Sequence, residues 1–385
     1  MKTFRVLLAG GGTGGHIFPL IAVAQEIRKL TAPYEINIDM RYFGSAYQYA
    51  NEIVDNDIEF VPVLSSKLRR YWSLMNAVDF FKFAASIPQL LWKIFFFMPD
   101  VIFSKGGPGA LAVVLVGKFY GIPIVVHESD SIPGLTNAIS GKLAKKIFLA
   151  FASASAYFNE KKTEIVGNPV RQSLLDQKAS LGADENTAKI TGRKGFGLNN
   201  EIPLILVLGG SQGAEKLNDF IMENLENLLE EYQILHQTGP ANYDAYKKEY
   251  EFLTKDWSDV QKNRYVFKAF FDNDLADALA AADIVITRAG AGSLFELMAF
   301  GKPAIIIPLN QSANDHQIEN ARIYAKTGAA YIISEENLLG NIVSDTIRNI
   351  LGKDGKYDKM SQSAQSFYRP DTAQAVARYL LSFIS

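Results

Sequence analysis

The sequence predicts an α/β protein built from two Rossmann-like parallel-sheet domains. Three observations carry this. Short apolar runs alternate with helical stretches, the pattern of a parallel sheet covered on both faces. The pattern restarts at Leu204 to Leu208, again as a strand running into a glycine loop. The length, 385 residues, exceeds what one domain usually holds.

The elements follow in order. Val6-Leu7-Leu8-Ala9 reads as a buried strand, Gly10 to Gly15 as a loop, Pro19 to Leu30 as a helix and Ile36 to Tyr42 as the second strand. Val101-Ile102-Phe103, Ile124-Val125-Val126 and Ile147-Phe148-Leu149 continue the first half. A boundary falls at Gly167-Asn168-Pro169, giving domains 1–166 and 167–365. In the second half, Leu204 to Leu208, Tyr232 to His236, Ile284-Val285-Ile286 and Ala304 to Ile307 are strands. The polar stretch Gln177 to Asn200 reads as an exposed excursion. The last segment, 366–385, reads as a helix that crosses back to the first domain.

Composition narrows the function. A hydrophobic fraction of 48% lets each half bury a core. The net charge of −2 argues against a nucleic-acid partner, which calls for a basic surface. With no cysteine, disulfides, thiolate metal sites and cysteine nucleophiles are excluded. The four histidines, His16, His127, His236 and His316, form no ligand pair at helical spacing, so no metal and no cofactor are expected. Asp272 and Asp274 read as helix caps before Leu275 to Ala281. Met1 to Arg5 lead directly into a strand and do not resemble a signal peptide. The nearest candidate for a membrane span, Leu90 to Met98, is far shorter than the roughly 20 residues required. A soluble or peripheral protein is expected.

Five polar loops sit at the C-terminal ends of strands, where open α/β sheets bind ligands. Gly10-Gly11-Gly12-Thr13-Gly14-Gly15-His16 satisfies a dinucleotide fingerprint in its glycines. The acidic residue that should close the second strand is misplaced, which argues against nicotinamide or flavin. His16 there suits a general base, or else caps the turn. Ser104 to Gly109 and His127-Glu128-Ser129-Asp130 line the same edge. In the second half, Gly209-Gly210-Ser211-Gln212-Gly213 and Arg288-Ala289-Gly290-Ala291-Gly292-Ser293 each open a helix, a geometry that receives phosphate on backbone N–H groups. Glu296, a turn into the second helix, either reaches a ribose or complements the helix dipole. Asn314-Asp315-His316-Gln317 is a further polar cluster on that edge.

The segment Lys67 to Met98 is crowded with aromatics and carries Lys67, Arg69, Arg70, Lys82 and Lys93 against Asp79 alone. Phe80, Phe83, Ala84, Ile87, Leu91, Ile94 and Phe95 fall on one helical stripe. Phe81, Trp92 and Phe96 fall outside it, with Trp72 nearby. Surplus aromatics beside cations suit an anionic membrane surface. A core stripe with a solvated face is the other reading.

Taken together and in order, these motifs resemble the MurG family, the undecaprenyldiphospho-muramoylpentapeptide β-N-acetylglucosaminyltransferases of peptidoglycan synthesis. The resemblance spans nearly the whole chain. It rests on Gly11 to His16, on His127-Glu128 with Pro133 to Asn137, and on Gly167 to Arg171. Gly209 to Gly213, Arg288 to Ala291 with Glu296, and Asp315-His316-Gln317 complete it. It implies the two-domain GT-B glycosyltransferase fold, with the domains facing across a cleft, and an inverting transfer of N-acetylglucosamine. The donor is UDP-N-acetylglucosamine. The acceptor is the 4-hydroxyl of a muramoyl-pentapeptide carried on undecaprenyl diphosphate, at the cytoplasmic face of the bacterial membrane.

The resemblance further implies that Arg171, Ser211, Phe271, Ala291, Gly292, Ser293, Glu296, His316 and Gln317 contact the donor. Thr13, Gly14, Gly15 and Asp130 serve the acceptor side. His16 is the candidate base, with Glu128 in reserve. Asp130 stands where some members have asparagine, and His316 where some have glutamine. Two alternatives remain: a related transferase acting on another glycolipid, and a membrane-docked nucleotide-sugar binder without catalysis.

Overall fold

The computed structural model describes residues 3–65, 75–182, 184–210, 213–310 and 315–384, and within these the side chains of all but 75–77. The chain divides into two compact units, Met1–Arg171 with Arg369–Ser385, and Gln172–Tyr368. The division falls a few residues beyond the boundary read at 166/167, because Arg171 still packs in unit 1, its guanidinium 4.3 Å above the Phe18 ring.

Unit 1 holds a seven-stranded sheet of β1 (Thr3–Ala9), β2 (Asn37–Gly44), β3 (Glu59–Pro62), β4 (Val101–Ser104), β5 (Ile124–Glu128), β6 (Lys146–Leu149) and β7 (Thr163–Ile165). The strand order is β3-β2-β1-β4-β5-β6-β7. Every neighbouring pair is parallel. Unit 2 holds six strands: β8 (Leu204–Leu208), β9 (Gln233–Gln237), β10 (Tyr265–Lys268), β11 (Ile284–Thr287), β12 (Ala304–Ile306) and β13 (Ala330–Ile332). Their order is β10-β9-β8-β11-β12-β13, again all parallel. The chain direction across each sheet reverses once, between β1 and β4 and between β8 and β11. Crevices for ligands form outside such reversals.

The central strands are buried along their whole length because helices cover both faces. One face of unit 1 is sealed by the helix Gly14–Thr31 together with the C-terminal helix Thr372–Leu381, whose Val376, Ala377 and Leu380 are fully buried. The opposite face is sealed by the helices Met75–Phe97 and Ala110–Phe119. The terminal helix is also tied down by Thr372, which donates its hydroxyl to the Val166 carbonyl.

The structure corrects several expectations. The helix read from 366 is two helices, Lys356–Phe367 in unit 2 and Thr372–Leu381 in unit 1, separated at Tyr368-Arg369-Pro370. Gln177 to Asn200 is no excursion. It forms the end of the helix Gln172–Leu181 and the helix Glu185–Gly195, which pack against Leu275–Ala281. There Arg193, buried, pairs with Asp283 at 2.5 Å. Asp274 holds the cap position of Leu275–Ala281 without bonding its backbone, and pairs with Lys268 instead. The aromatic segment forms a helix of 23 residues, of which Val78–Phe97 are by length and composition enough to cross a bilayer. Only 22% of that window is buried. Its Leu90, Ile94 and Phe97 nevertheless lie in the unit 1 core, with Phe83, Ile87 and Leu91 packed against them, and these hold the helix against the fold. Phe80, Ala84 and Phe95 of the expected stripe are instead exposed, because the buried face is centred on Leu90, Ile94 and Phe97.

Candidate functional site

In unit 1 the loops after β1, β4 and β5 converge on one edge. Thr13 is the N-cap residue of Gly14–Thr31, and its hydroxyl lies 2.8 Å from His16 Nδ1. Gly11 and Gly107 close on the ring from two sides. A Cβ on Gly107, whose φ is +84°, would lie 2.9 Å from His16 Nε2 and 2.8 Å from the Gly11 Cα. No side chain fits there, so glycine is required on steric grounds as well as backbone ones. Gly14 is buried against Phe18 and Tyr49, whereas Gly15 is exposed.

Beneath this surface lies a buried polar network that the sequence did not reveal. Lys105, 2% exposed, reaches His127 Nδ1 at 2.8 Å, Asn168 Oδ1 at 3.0 Å and the Ser129 hydroxyl. His127 Nε2 sits 2.9 Å from the Gly167 carbonyl, which can only accept; Nε2 therefore carries the proton and Nδ1 accepts from Lys105. Glu128 is buried, and its two oxygens accept from the Asp130 N–H at 2.9 Å and from Asn137 Nδ2 at 3.0 Å. Its carboxylate thus shapes the turn that presents Asp130. Burial, and secondarily the Asp130 carboxylate, push the Glu128 carboxyl up. Burial and then Lys105 push the His16 imidazole down to about 4, with Asp130 pulling the other way.

In unit 2 the loops after β8 and β11 flank the strand reversal and open onto a cavity of about 1040 Å³. Its lining includes Gly210, Gly213, Arg288, Gly290, Ser293 and Gln317. Gly213 has a φ of +83° and sits so close to the Thr238 carbonyl that a Cβ would lie 2.5 Å from it. Gln237 Nε2 donates to the Gly210 carbonyl at 2.9 Å, Thr287 Oγ1 to Leu208 at 3.0 Å and Asn320 Nδ2 to Ala289 at 3.2 Å. These three buried side chains fix both loops. The helix Ala291–Phe300 starts at Gly290 with its first amides at the cavity, the arrangement that binds a diphosphate. Two cations stand beside it. Arg288 Nη2 lies 2.7 Å and Lys216 Nζ 3.0 Å from the Glu335 carboxylate, whose side chain is 4% exposed. Burial works to raise the Glu335 carboxyl, but Lys216 and Arg288 outweigh it and hold it below its usual range.

Of the sequence-derived donor residues, Ser293 and Gln317 line the cavity, and Gln317 accepts from the Leu309 N–H at 3.2 Å. Ala291 and Gly292 form the first turn of the helix, Glu296 follows one turn on, and His316 begins the helix His316–Lys326. Arg171 belongs to unit 1 and stacks on Phe18. The Phe271 ring is fully buried against Phe196, and its N–H is taken by Gln237 Oε1 at 3.0 Å, so it supports the loop after β8 from within. Ser211 lies outside the described residues, as do Lys67, Arg69, Arg70 and Trp72. Phe81, Trp92 and Phe96 are 65–70% exposed on the helix Met75–Phe97. Phe119 extends this aromatic surface through Tyr120 and Phe95. Among the described residues no cluster of three metal-ligating side chains occurs.

Comparison with known proteins agrees with this architecture. Residues 6–149 match the glycosyltransferase family 28 N-terminal domain, and residues 204–376 the family 28 C-terminal domain. Curated relatives include the UDP-N-acetylglucosamine--N-acetylmuramyl-(pentapeptide) pyrophosphoryl-undecaprenol N-acetylglucosamine transferases of Legionella pneumophila and Treponema denticola. The first is 36% identical, covering 92% of this chain and 90% of its own length. The second is 34% identical, covering 99% and 98%. Among solved structures, Acinetobacter baumannii MurG superimposes with a TM-score of 0.70 at 22% identity, covering 98% of this chain and 99% of its own. A Neisseria meningitidis UDP-GlcNAc 2-epimerase shares the fold at 0.68 and 13% identity, covering 98% and 100%. Both units thus carry the GT-B fold, and the chain belongs to the MurG family of glycosyltransferase family 28.

Proposed function

We propose that this chain transfers N-acetylglucosamine from UDP-N-acetylglucosamine to the 4-hydroxyl of a muramoyl-pentapeptide on undecaprenyl diphosphate, converting lipid I to lipid II in peptidoglycan synthesis. The observation that carries the reading is near-full-length identity of 32–36% to relatives all named for that transfer. The site chemistry fits it. In unit 2 the donor's diphosphate rests on the amides of Ala291–Phe300 and the glycine loop after β8, with Arg288 and Lys216 as its counter-charges. Glu296 and Gln317 take the ribose and the sugar.

In unit 1 His16 is the base. With Nδ1–H donated to Thr13, Nε2 accepts the proton of the acceptor 4-hydroxyl. The oxygen then bonds to the anomeric carbon, and the bond from that carbon to the diphosphate breaks, its electron pair leaving on UDP. Inversion follows from this single displacement. Glu128, buried and engaged at both oxygens, serves the site through Asp130. The anionic diphosphate of the acceptor would raise the His16 pKa toward neutrality, where a base works best.

We further propose that the exposed aromatics Phe81, Trp92, Phe96 and Phe119, with Lys82, rest on an anionic membrane at its cytoplasmic face. Exposure of such a contiguous aromatic surface supports this reading.

The deciding experiment measures UDP release with and without a short-chain muramoyl-pentapeptide diphosphate lipid. Release only with that acceptor, together with a disaccharide product, is expected. Donor binding without acceptor-dependent release would favour the non-catalytic reading. For the membrane, co-sedimentation with anionic liposomes at low salt is expected, and Trp92→Ala with Phe96→Ala should weaken it; no sedimentation of the unaltered chain would sink that part.

A further inference from the structure

Among the described residues, Lys105 is the most deeply enclosed cation of unit 1. Its three polar contacts, to His127 Nδ1, Asn168 Oδ1 and Ser129 Oγ, match the three N–H donors of an ammonium. Two carboxylates, Glu128 and Asp130, face it. A buried ammonium normally sheds its proton, and burial does push Lys105 down, while those carboxylates hold it up. Burial outweighs the carboxylates and brings the Lys105 ammonium down to about 7, while its three acceptors and two opposite charges keep the charged form populated at neutral pH.

The same ammonium bears on the candidate base. Lys105 begins the turn whose Gly107 presses on His16 Nε2. The groups facing His16 come from every element around it. Lys105 approaches from the loop after β4 and Asp130 from the loop after β5, while Tyr42 of β2 donates its hydroxyl to the Gly10 carbonyl of the glycine loop at 2.8 Å. Tyr49 lies beside Gly14, and Arg171 stacks on Phe18 two residues along the helix. Of these, Lys105 opposes protonation of the imidazole and Asp130 favours it. The lysine also ties the loop after β5 to Asn168, which lies 63 positions from the lysine itself in sequence.

We propose that Lys105 is a positioning residue for the transfer: its buried ammonium locks the loop after β5 and Asn168 to the sheet edge, and its charge adds to burial, against Asp130, in keeping His16 neutral and ready to accept a proton. This rests on the transferase reading of the same edge, with His16 as base. Lysine at this position thus acts through two other residues and needs no contact with substrate.

The test is an NMR titration of the histidine imidazoles in the full-length chain. There are only four, and His16→Ala identifies the relevant resonance. Lys105→Gln, which keeps polar contacts but removes the charge, should raise the His16 midpoint by about one pH unit. Asp130→Asn should lower it, and the double variant should return it toward the original value. A lysine that merely packs would cost stability and leave the midpoint where it was; that result overturns the proposal. Should Lys105→Gln fail to fold, Asp130→Asn decides alone, since a midpoint that does not fall is equally fatal.

In turnover, the acidic limb of kcat against pH should move with the midpoint while KM for the donor stays within about twofold. An unaltered chain lacking acceptor-dependent turnover would defeat the transferase reading. The imidazole titration would still judge the charge balance, so the two failures remain distinguishable.

Discussion

The two units share a plan, with strands reversing between β1 and β4 in one and between β8 and β11 in the other, yet they finish that edge differently. Unit 1 fills the space under its loops with ionisable side chains: Lys105, His127 and Glu128, all buried, with His16 and Asp130 above them. Unit 2 leaves an open cavity there, lined by glycines, a helix start and two cations bound to one carboxylate. Buried charges perturb one another and so can set a proton in place. Backbone amides around an open space cannot, but they meet a diphosphate without rearranging. The contrast fits the proposed division, with proton chemistry in one unit and anion binding in the other.

The sharpest way to break that assignment is His16→Ala. It should lower kcat by about 10²–10⁴-fold, the usual contribution of a general base, with donor affinity by calorimetry unchanged. An equal loss of donor affinity would mean the division of labour is wrong. Arg288→Ala should do the reverse. Losing a charged hydrogen-bonding partner costs about 1.5–3 kcal/mol, or about 10–100-fold in donor affinity, and the His16 titration should not respond.

Acid offers a third comparison, through His236 in unit 2. This fully buried ring accepts from the Tyr265 hydroxyl at 2.8 Å and donates to Asn218 Oδ1 at 3.0 Å, and burial pushes its pKa down to about 3. The folded pKa lies below the unfolded one, so the unfolded chain binds the extra proton between them. Stability is therefore full above about pH 6.5 and falls by about 1.4 kcal/mol per pH unit below it. Protection factors of the β9 amides, taken relative to the intrinsic exchange rate at each pH, should fall accordingly from pH 6.5 to 5, and His236→Gln should flatten the dependence. The smallest effect expected is Ser293→Ala. Its hydroxyl lines the donor cavity, and one neutral hydrogen bond is worth about 1 kcal/mol, so donor Kd should rise about fivefold with kcat held.

Much of this was legible in the sequence, and the residues show why. Val6 to Ala9 and Leu204 to Leu208 are continuous apolar runs because both sheet faces are covered, and each ends in glycine because the next helix begins at once. The strands that escaped notice, β3, β7, β10 and β13, lie at or beside sheet edges. There Glu59-Phe60-Val61-Pro62 and Thr163-Glu164-Ile165 need no unbroken apolar run.

Site residues set in glycine motifs were visible for the same local reason. Lys105 was not, since a lysine beside two glycines looks solvated. Its burial is decided by His127 and Asn168, 22 and 63 positions away. Lys216 and Glu335, 119 positions apart, were hidden likewise. The apolar length of the helix Met75–Phe97 was hidden from a count of unbroken apolar runs, because Asp79, Lys82 and Lys93 interrupt it.

The C-terminal helix has a further consequence for how the protein is made. Unit 1 is encoded first, yet its core includes Val376, Ala377 and Leu380 from the last stretch of the chain. Emerging from a ribosome, its sheet must wait while Gln172–Tyr368 is translated, about 10–40 s at ordinary elongation rates. Unit 2, contiguous in sequence, can close as soon as it appears. The nascent chain therefore completes its second unit before its first, and during that interval the apolar face along Gly14–Thr31 lacks its last cover.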